Sequence, residues 1–207
     1  MPGSTPAYRV VTDRLVIRCW RPRDAPALQA AIDENLDHLR PFLPWAAREP
    51  QSLDAKVTLL RRMRADFDRD EDFVYGIFDA AESEVVGGTG LHPRVGEGGL
   101  EIGYWIRAER THQGYATEVA GALTRVGFEL HALRWMEIRC AAINTRSAAV
   151  PRRLGYRLQR TLPDRAALGN GTLVDQQVWA LVAAEYPTSA AARTEAQAFD
   201  ALGRRVL

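Results

Sequence analysis

The sequence predicts an α/β fold, a mixed sheet with helices on its faces. Three observations carry that expectation. The apolar spacing changes from helical to strand-like and back along the chain. Three short β-rich runs follow one another over residues 73–106, and the last enters a small-residue turn and then a long helix. The length of 207 residues, 46% of them hydrophobic, suits one domain with a sizeable core.

The elements follow in order. Residues 15–20 are β-rich and read as a strand. Pro22 opens a helix through about Glu34, with Leu28 and Ile32 at helical spacing. Two prolines, Pro41 and Pro44, mark the next stretch as a loop. Ser52 begins an amphipathic helix to about Phe67. Residues 73–78 and 84–91 are strands separated by a connection short enough for a hairpin. A third strand occupies 100–106, and a helix runs from 114 to 131 with Val119, Leu123, Val126 and Leu130 on one face. A strand over 135–142, a short helix over 147–154 and strands near 157–161 and 177–182 complete the series. Residues after 185 read as a helical or frayed tail.

Charge and cysteine content narrow the function classes. With 27 basic and 26 acidic residues the chain is not a globally basic nucleic-acid binder, nor is it a disordered polyanion. Only Lys56 among the basic residues is a lysine. Cys19 and Cys140 cannot make a disulfide framework, which favours a reducing compartment. The first ten residues lack the apolar run of a signal peptide, and no 18 apolar residues run together. The expectation is a cytoplasmic protein with neither membrane nor nucleic acid as partner. His38, His92, His112 and His131 lack metal-ligand spacing, so no metal is expected.

The junction of strand 100–106 with the helix beginning at 114 carries the chemistry. First-turn N–H groups of a helix have no helical partners and favour anions, and Gly114 and Ala116 leave room for a phosphate to approach them. Downstream, Asn144-Thr145-Arg146-Ser147 follows a strand and precedes Gly155-Tyr156. These two segments resemble the GNAT superfamily of acyl-CoA-dependent N-acetyltransferases, whose signature pairs a Q/R-x-x-G-x-G/A pyrophosphate loop with an N-x-x-S…GF/GY element. Residues 12–18 (TDRLVIR), 101–106 (EIGYWI) and 113–118 (QGYATE) are similar to its Rim-type (RimJ/RimL-like) branch, which acetylates ribosomal-protein N-termini. So are the loop at Leu43-Pro44-Trp45 and the stretch from Asn170 to Asp175.

The resemblance covers residues 12–185 and implies one N-acetyltransferase domain over 1–207, with 186–207 as a tail. It implies a mostly antiparallel sheet of about seven strands with helices on both faces. Acetyl-CoA or coenzyme A is then the co-substrate, and the acceptor is an amine on a protein N-terminus or a small molecule. A homodimer also accords with the branch.

The implied roles fall on specific residues. The backbone of Tyr104, Trp105 and Ile106 would bind the pantetheine arm. Thr111, His112, Gln113, Gly114, Tyr115, Ala116 and Thr117 would cradle the pyrophosphate. Asn144 would position the arm, Ser147 would protonate the thiolate, and Glu101 would remove the amine proton, through water if needed. Trp45 is the substrate-pocket candidate. The family's Q/R position is Thr111 here, its next glycine is His112, and Pro151 sits inside the short helix, where it removes an N–H and bends or tightens it.

Plainer readings stand beside these. Glu101 also suits a strand flank, Ser147 a helix N-cap, Asn144 a turn and Trp45 a core plug. Cys140 reads as a small buried hydrophobe. Arg146, Arg152 and Arg153 suit either a 3′-phosphate or a solvated helix face. Succinyl-CoA or another acyl donor, or a silent acyl-CoA-binding module, are the rival functions. The loops at 37–50 and 160–175 are expected to choose the acceptor, and they carry no readable code.

Overall fold

In the computed structural model, which describes residues 6–207, one nine-stranded sheet organises the chain. Its strands are β1 (Arg9–Val11), β2 (Leu15–Cys19), β3 (Phe73–Asp79), β4 (Val85–His92), β5 (Gly99–Ile106), β6 (Trp135–Ala141), β7 (Arg157–Ala167), β8 (Leu173–Val182) and β9 (Gln197–Phe199). They lie in the order β7-β8-β6-β5-β4-β3-β2-β1-β9. Every neighbouring pair is antiparallel except β5 and β6. A parallel pair needs a crossover, and helix α4 (Tyr115–Arg125) supplies it.

Alternation along the strands sends side chains to two cores. On one face Ile102, Met136 and Ile138 meet Val119 and Leu123 of α4 and Val126 just beyond it. On the other, Val16, Phe78 and Val85 meet Leu28 and Ile32 of α1 (Ala25–Asp33) and Leu60 of α3 (Leu53–Asp68). The Ser52 hydroxyl caps α3 by accepting from the Ala55 N–H at 3.2 Å, as the sequence signals. The long helix read over 114–131 is α4 followed by a π turn, Val126–Leu130. No helix among the described residues is long and apolar enough to cross a membrane.

The sheet departs from expectation at its ends. Nine strands replace about seven because β1 and β9 pair with each other, Val10 facing Ala198. Neither has enough residues to show a period of two. The Ala-rich tail read as helical or frayed instead places Ala191 and Ala198 at 0% exposure, where a small side chain fits under the sheet edge. The late hairpin is also longer than its apolar stretches, since most of β7 is exposed and polar.

The loop before α3 is fixed by the chain's single lysine. Lys56 is completely buried and its ammonium pairs with the Glu49 carboxylate, itself buried. Arg40, one residue past α2 (Leu36–Leu39), donates from Nη2 to the Glu49 carbonyl at 2.8 Å. Removing one partner of such a pair strands the other charge in the core. Lys56→Met is therefore expected to lower unfolding free energy by about 3–5 kcal/mol, read from urea denaturation.

His131, 8% exposed, is stacked on Phe73 with ring centroids 6.1 Å apart. Burial pulls its pKa from 6.5 down to about 4. The unfolded imidazole takes a proton near 6.5 and the folded one resists until about 4. Stability from this site is therefore intact above pH 6.5 and declines as pH falls toward 4, by on the order of 3 kcal/mol. His131→Phe should flatten the pH dependence of the melting temperature across that window.

Candidate active site

The parallel ladder between β5 and β6 joins Gly99 to Trp135 and ends at Ile102 opposite Ile138, although both strands continue. Beyond that point Tyr104, Trp105 and Ile106 pair only with Thr89, Gly88 and Gly87 of β4 on their far side. Arg139 to Ala141 pair only with β8. The two strands part, and a cavity of about 620 Å³ opens along the free edge of β5, bordered by Tyr104, Trp105 and Ile106 and by the segments that follow β5 and β6. Unmatched backbone groups on an extended segment favour another extended, amide-bearing chain.

Gly88 lets the wall of this cavity close. A Cβ there would lie 2.5 Å from the Trp105 indole nitrogen, so glycine allows the ring to cross the strand. The indole then meets Trp45 at 6.1 Å between centroids and an angle of 59°. Trp45 does not line the cavity. It backs a residue that does, and remains 38% exposed.

One end of the cavity lies at the start of α4. The chain turns through His112 at φ 61° and Gly114 at φ 83°, and no side chain caps the helix. The N–H groups of its first turn are left for another partner. Thr111, His112, Gly114, Tyr115, Ala116 and Thr117 all border the cavity. Gln113 does not: its side-chain amide turns back to the Glu109 carbonyl at 3.0 Å.

Helix α5 (Thr145–Leu154) forms the opposite wall. Its N-cap is Asn144, whose Oδ1 accepts from the Ser147 N–H at 3.1 Å. The capping role considered for Ser147 is thereby corrected, because Ser147 is the third residue of the helix and its hydroxyl does not serve as the cap. Pro151 explains a further contact. Having no N–H, it cannot bond the Ser147 carbonyl four residues back. The Tyr104 hydroxyl donates to that carbonyl at 3.1 Å and lies 3.2 Å from the Ser147 Oγ. Burial raises the Tyr104 pKa, although the Ser147 contact works against the rise. The phenol therefore keeps its proton throughout the neutral range. The proline inside α5 thus frees the carbonyl that ties the two cavity walls together.

Glu101 is not brought to the cavity. Its side chain is buried, and its carboxylate takes two bonds from Arg94, at 2.6 and 2.9 Å, with Arg139 at 3.6 Å. Both oxygens face guanidinium groups. Conversely, Asp37, His38, Pro41 and Phe42 do line it. They come from the loop read as acceptor-choosing, and the tip of the other such loop touches it, Gly169 N donating to the Pro41 carbonyl at 3.5 Å. That meeting spans more than a hundred residues of sequence and left no local signal. Arg146 and Arg153 border the cavity seven residues apart on α5, while Arg152 instead stacks on Trp179 at 5.5 Å.

Comparison with known proteins agrees with this geometry. The acetyltransferase (GNAT) domain pattern matches residues 14–157. The putative ribosomal N-acetyltransferase YdaF of Bacillus subtilis is 32% identical over 152 residues, covering 70% of this chain and 79% of that protein. The structure of Mycobacterium smegmatis RimJ in complex with CoA-disulfide superposes with a TM-score of 0.77 at 26% identity, covering 93% of each chain. The microcin C7 self-immunity acetyltransferase MccE, solved with acetyl-CoA and AMP, shares the fold at TM-score 0.75 and 19% identity over 83% of this chain and 93% of that one.

Cys140 lies beneath Ser147, and burial raises its pKa more than hydrogen bonds from Ser147 and Trp179 lower it. Cys19 is likewise buried with a raised pKa, burial again the main cause. A raised pKa means less thiolate at any given pH. Ellman's reagent at pH 8 should accordingly find both thiols slow in the folded protein and two fast thiols in denaturant.

Proposed function

The chain belongs to the GNAT acetyltransferase family, and on that footing we propose that it transfers an acetyl group directly from acetyl-CoA to an amine, the α-amine of a protein N-terminus foremost. The observation that carries this reading is the end of the β5–β6 ladder at Ile102 and Ile138, beside the uncapped start of α4. A pantetheine arm needs an extended edge with free amide partners, and Tyr104 to Ile106 offer one. A pyrophosphate needs N–H donors in a positive potential, and the turn from Thr111 to Thr117 offers those. The complexes of RimJ and MccE support coenzyme A as the class of ligand. The name of the Bacillus relative, a putative ribosomal N-acetyltransferase, supports a ribosomal acceptor.

In the transfer, the acceptor nitrogen bonds to the acyl carbon as the carbon–sulfur bond breaks. The amine loses one proton and the sulfur gains one. Asn144 fixes the first turn of α5, and Ser147 supplies the proton for sulfur. Tyr104 cannot easily do so while its own hydrogen is spent on the Ser147 carbonyl. Glu101, held by Arg94 and Arg139, has no direct route to the amine and would act only through water. That arrangement suits an α-amine, about a tenth of which is neutral at pH 7, better than a lysine amine with a pKa near 10.4. Trp45 would shape the acceptor side through its contact with Trp105.

Calorimetry with acetyl-CoA and coenzyme A tests the reading. Micromolar binding is expected, and its absence would sink the proposal. Gly114→Glu should abolish the binding by placing a carboxylate against the phosphates at a position with positive φ. Ser147→Ala should keep acetyl-CoA affinity and lower kcat by about 10²-fold in assays with N-terminal peptides.

A further inference from the structure

The turn between β1 and β2 reaches across the molecule to the start of α4. Thr12 donates from Oγ1 to Glu118 Oε1 at 2.6 Å. Arg14 donates from Nε to Glu118 Oε2 at 2.8 Å, and its Nη2 pairs with the same oxygen. The same guanidinium donates from Nη1 to the Gln113 carbonyl at 2.9 Å and lies 4.5 Å from the centre of the Tyr115 ring. A Cβ added to Gly114 would sit 3.5 Å from Arg14 Nη2. One side chain thus touches or borders four of the six residues from Gln113 to Glu118.

We propose that Arg14 is a positioning residue for the phosphate end of the cavity, acting through Glu118 and the Gln113 carbonyl. The proposal rests on the cavity being a coenzyme A site. Glu118 lies in the first turn of α4, where a carboxylate suits an empty helix but opposes an arriving phosphate. Thr12 and Arg14 occupy both of its oxygens, and Arg14 cancels its charge. Pinning the Gln113 carbonyl toward Arg14 leaves the following N–H groups directed at the cavity. An exposed ion pair contributes little to stability by itself. Arg14, at 46% side-chain exposure, is therefore placed to matter for ligand binding more than for folding.

Thermal-shift titration of the full chain with coenzyme A and with pantetheine, which lacks the phosphates, separates these effects. Arg14→Gln should weaken coenzyme A binding about tenfold and leave pantetheine binding unchanged. Arg14→Lys should retain part of the affinity, having the charge without the fork. Glu118→Gln added to Arg14→Gln should restore most of the lost affinity, because the uncompensated charge is then gone. Wild-type affinity for coenzyme A in Arg14→Gln would overturn the proposal. Equal losses for both ligands, or no recovery in the double variant, would overturn it as well. A wild-type protein that binds no coenzyme A at all would instead remove the cofactor reading, and this inference with it.

Discussion

The divergence of β5 and β6 after Ile102 and Ile138 is the constraint from which the rest of the site follows. A parallel pair that continued to Ile106 would satisfy every backbone group and leave no cavity. By parting, the strands leave peptide groups that a folded protein must pair with something. The opening persists because both walls are braced from outside the gap. Gly88 admits the Trp105 indole on one side, and β8 holds Arg139 to Ala141 on the other. Across the mouth, Tyr104 bonds the carbonyl that Pro151 leaves vacant. A residue that weakens a helix is here used to hold a cleft at a fixed width.

The interior of the fold was legible because its elements carry strong local signals. The hairpin of β3 and β4, strand β5 and helix α4 are bounded apolar runs of the length and composition their elements need, buried along most of their length. The termini were not legible, since β1 and β9 have three residues each, and β9 reaches the sheet only by pairing with β1. The turn at Gly114 and the cap at Asn144 were legible because their backbone roles are local: glycine for a positive φ, and an amide to cap the helix. The surroundings of Glu101 were not legible, for the opposite reason. Its place in the strand was right, but Arg94 and Arg139, which engage it, are brought there by the sheet alone. The pair of Lys56 and Glu49 was hidden in the same way, because a lysine on a helix ordinarily reads as a solvent-facing residue.

The bond from Thr12 and Arg14 to Glu118 gives a physical reason for two separated motifs to occur together. The TDR turn and the QGYATE turn are a hundred residues apart, yet each supplies half of one hydrogen-bonded unit. Sequence resemblance detects the two halves as independent strings. The fold makes them a single part, so substitutions in one are felt by the other.

The burial of Lys56 has a consequence for the chemistry of the surface. No other lysine exists in the chain, and this one has no exposure and an engaged ammonium group. Arginines take up the remaining positive charge, and a guanidinium that stays protonated is a poor nucleophile. An activated thioester diffusing over this protein therefore meets no lysine amine to acylate. A catalyst of acyl transfer built this way offers its donor no lysine of its own to modify.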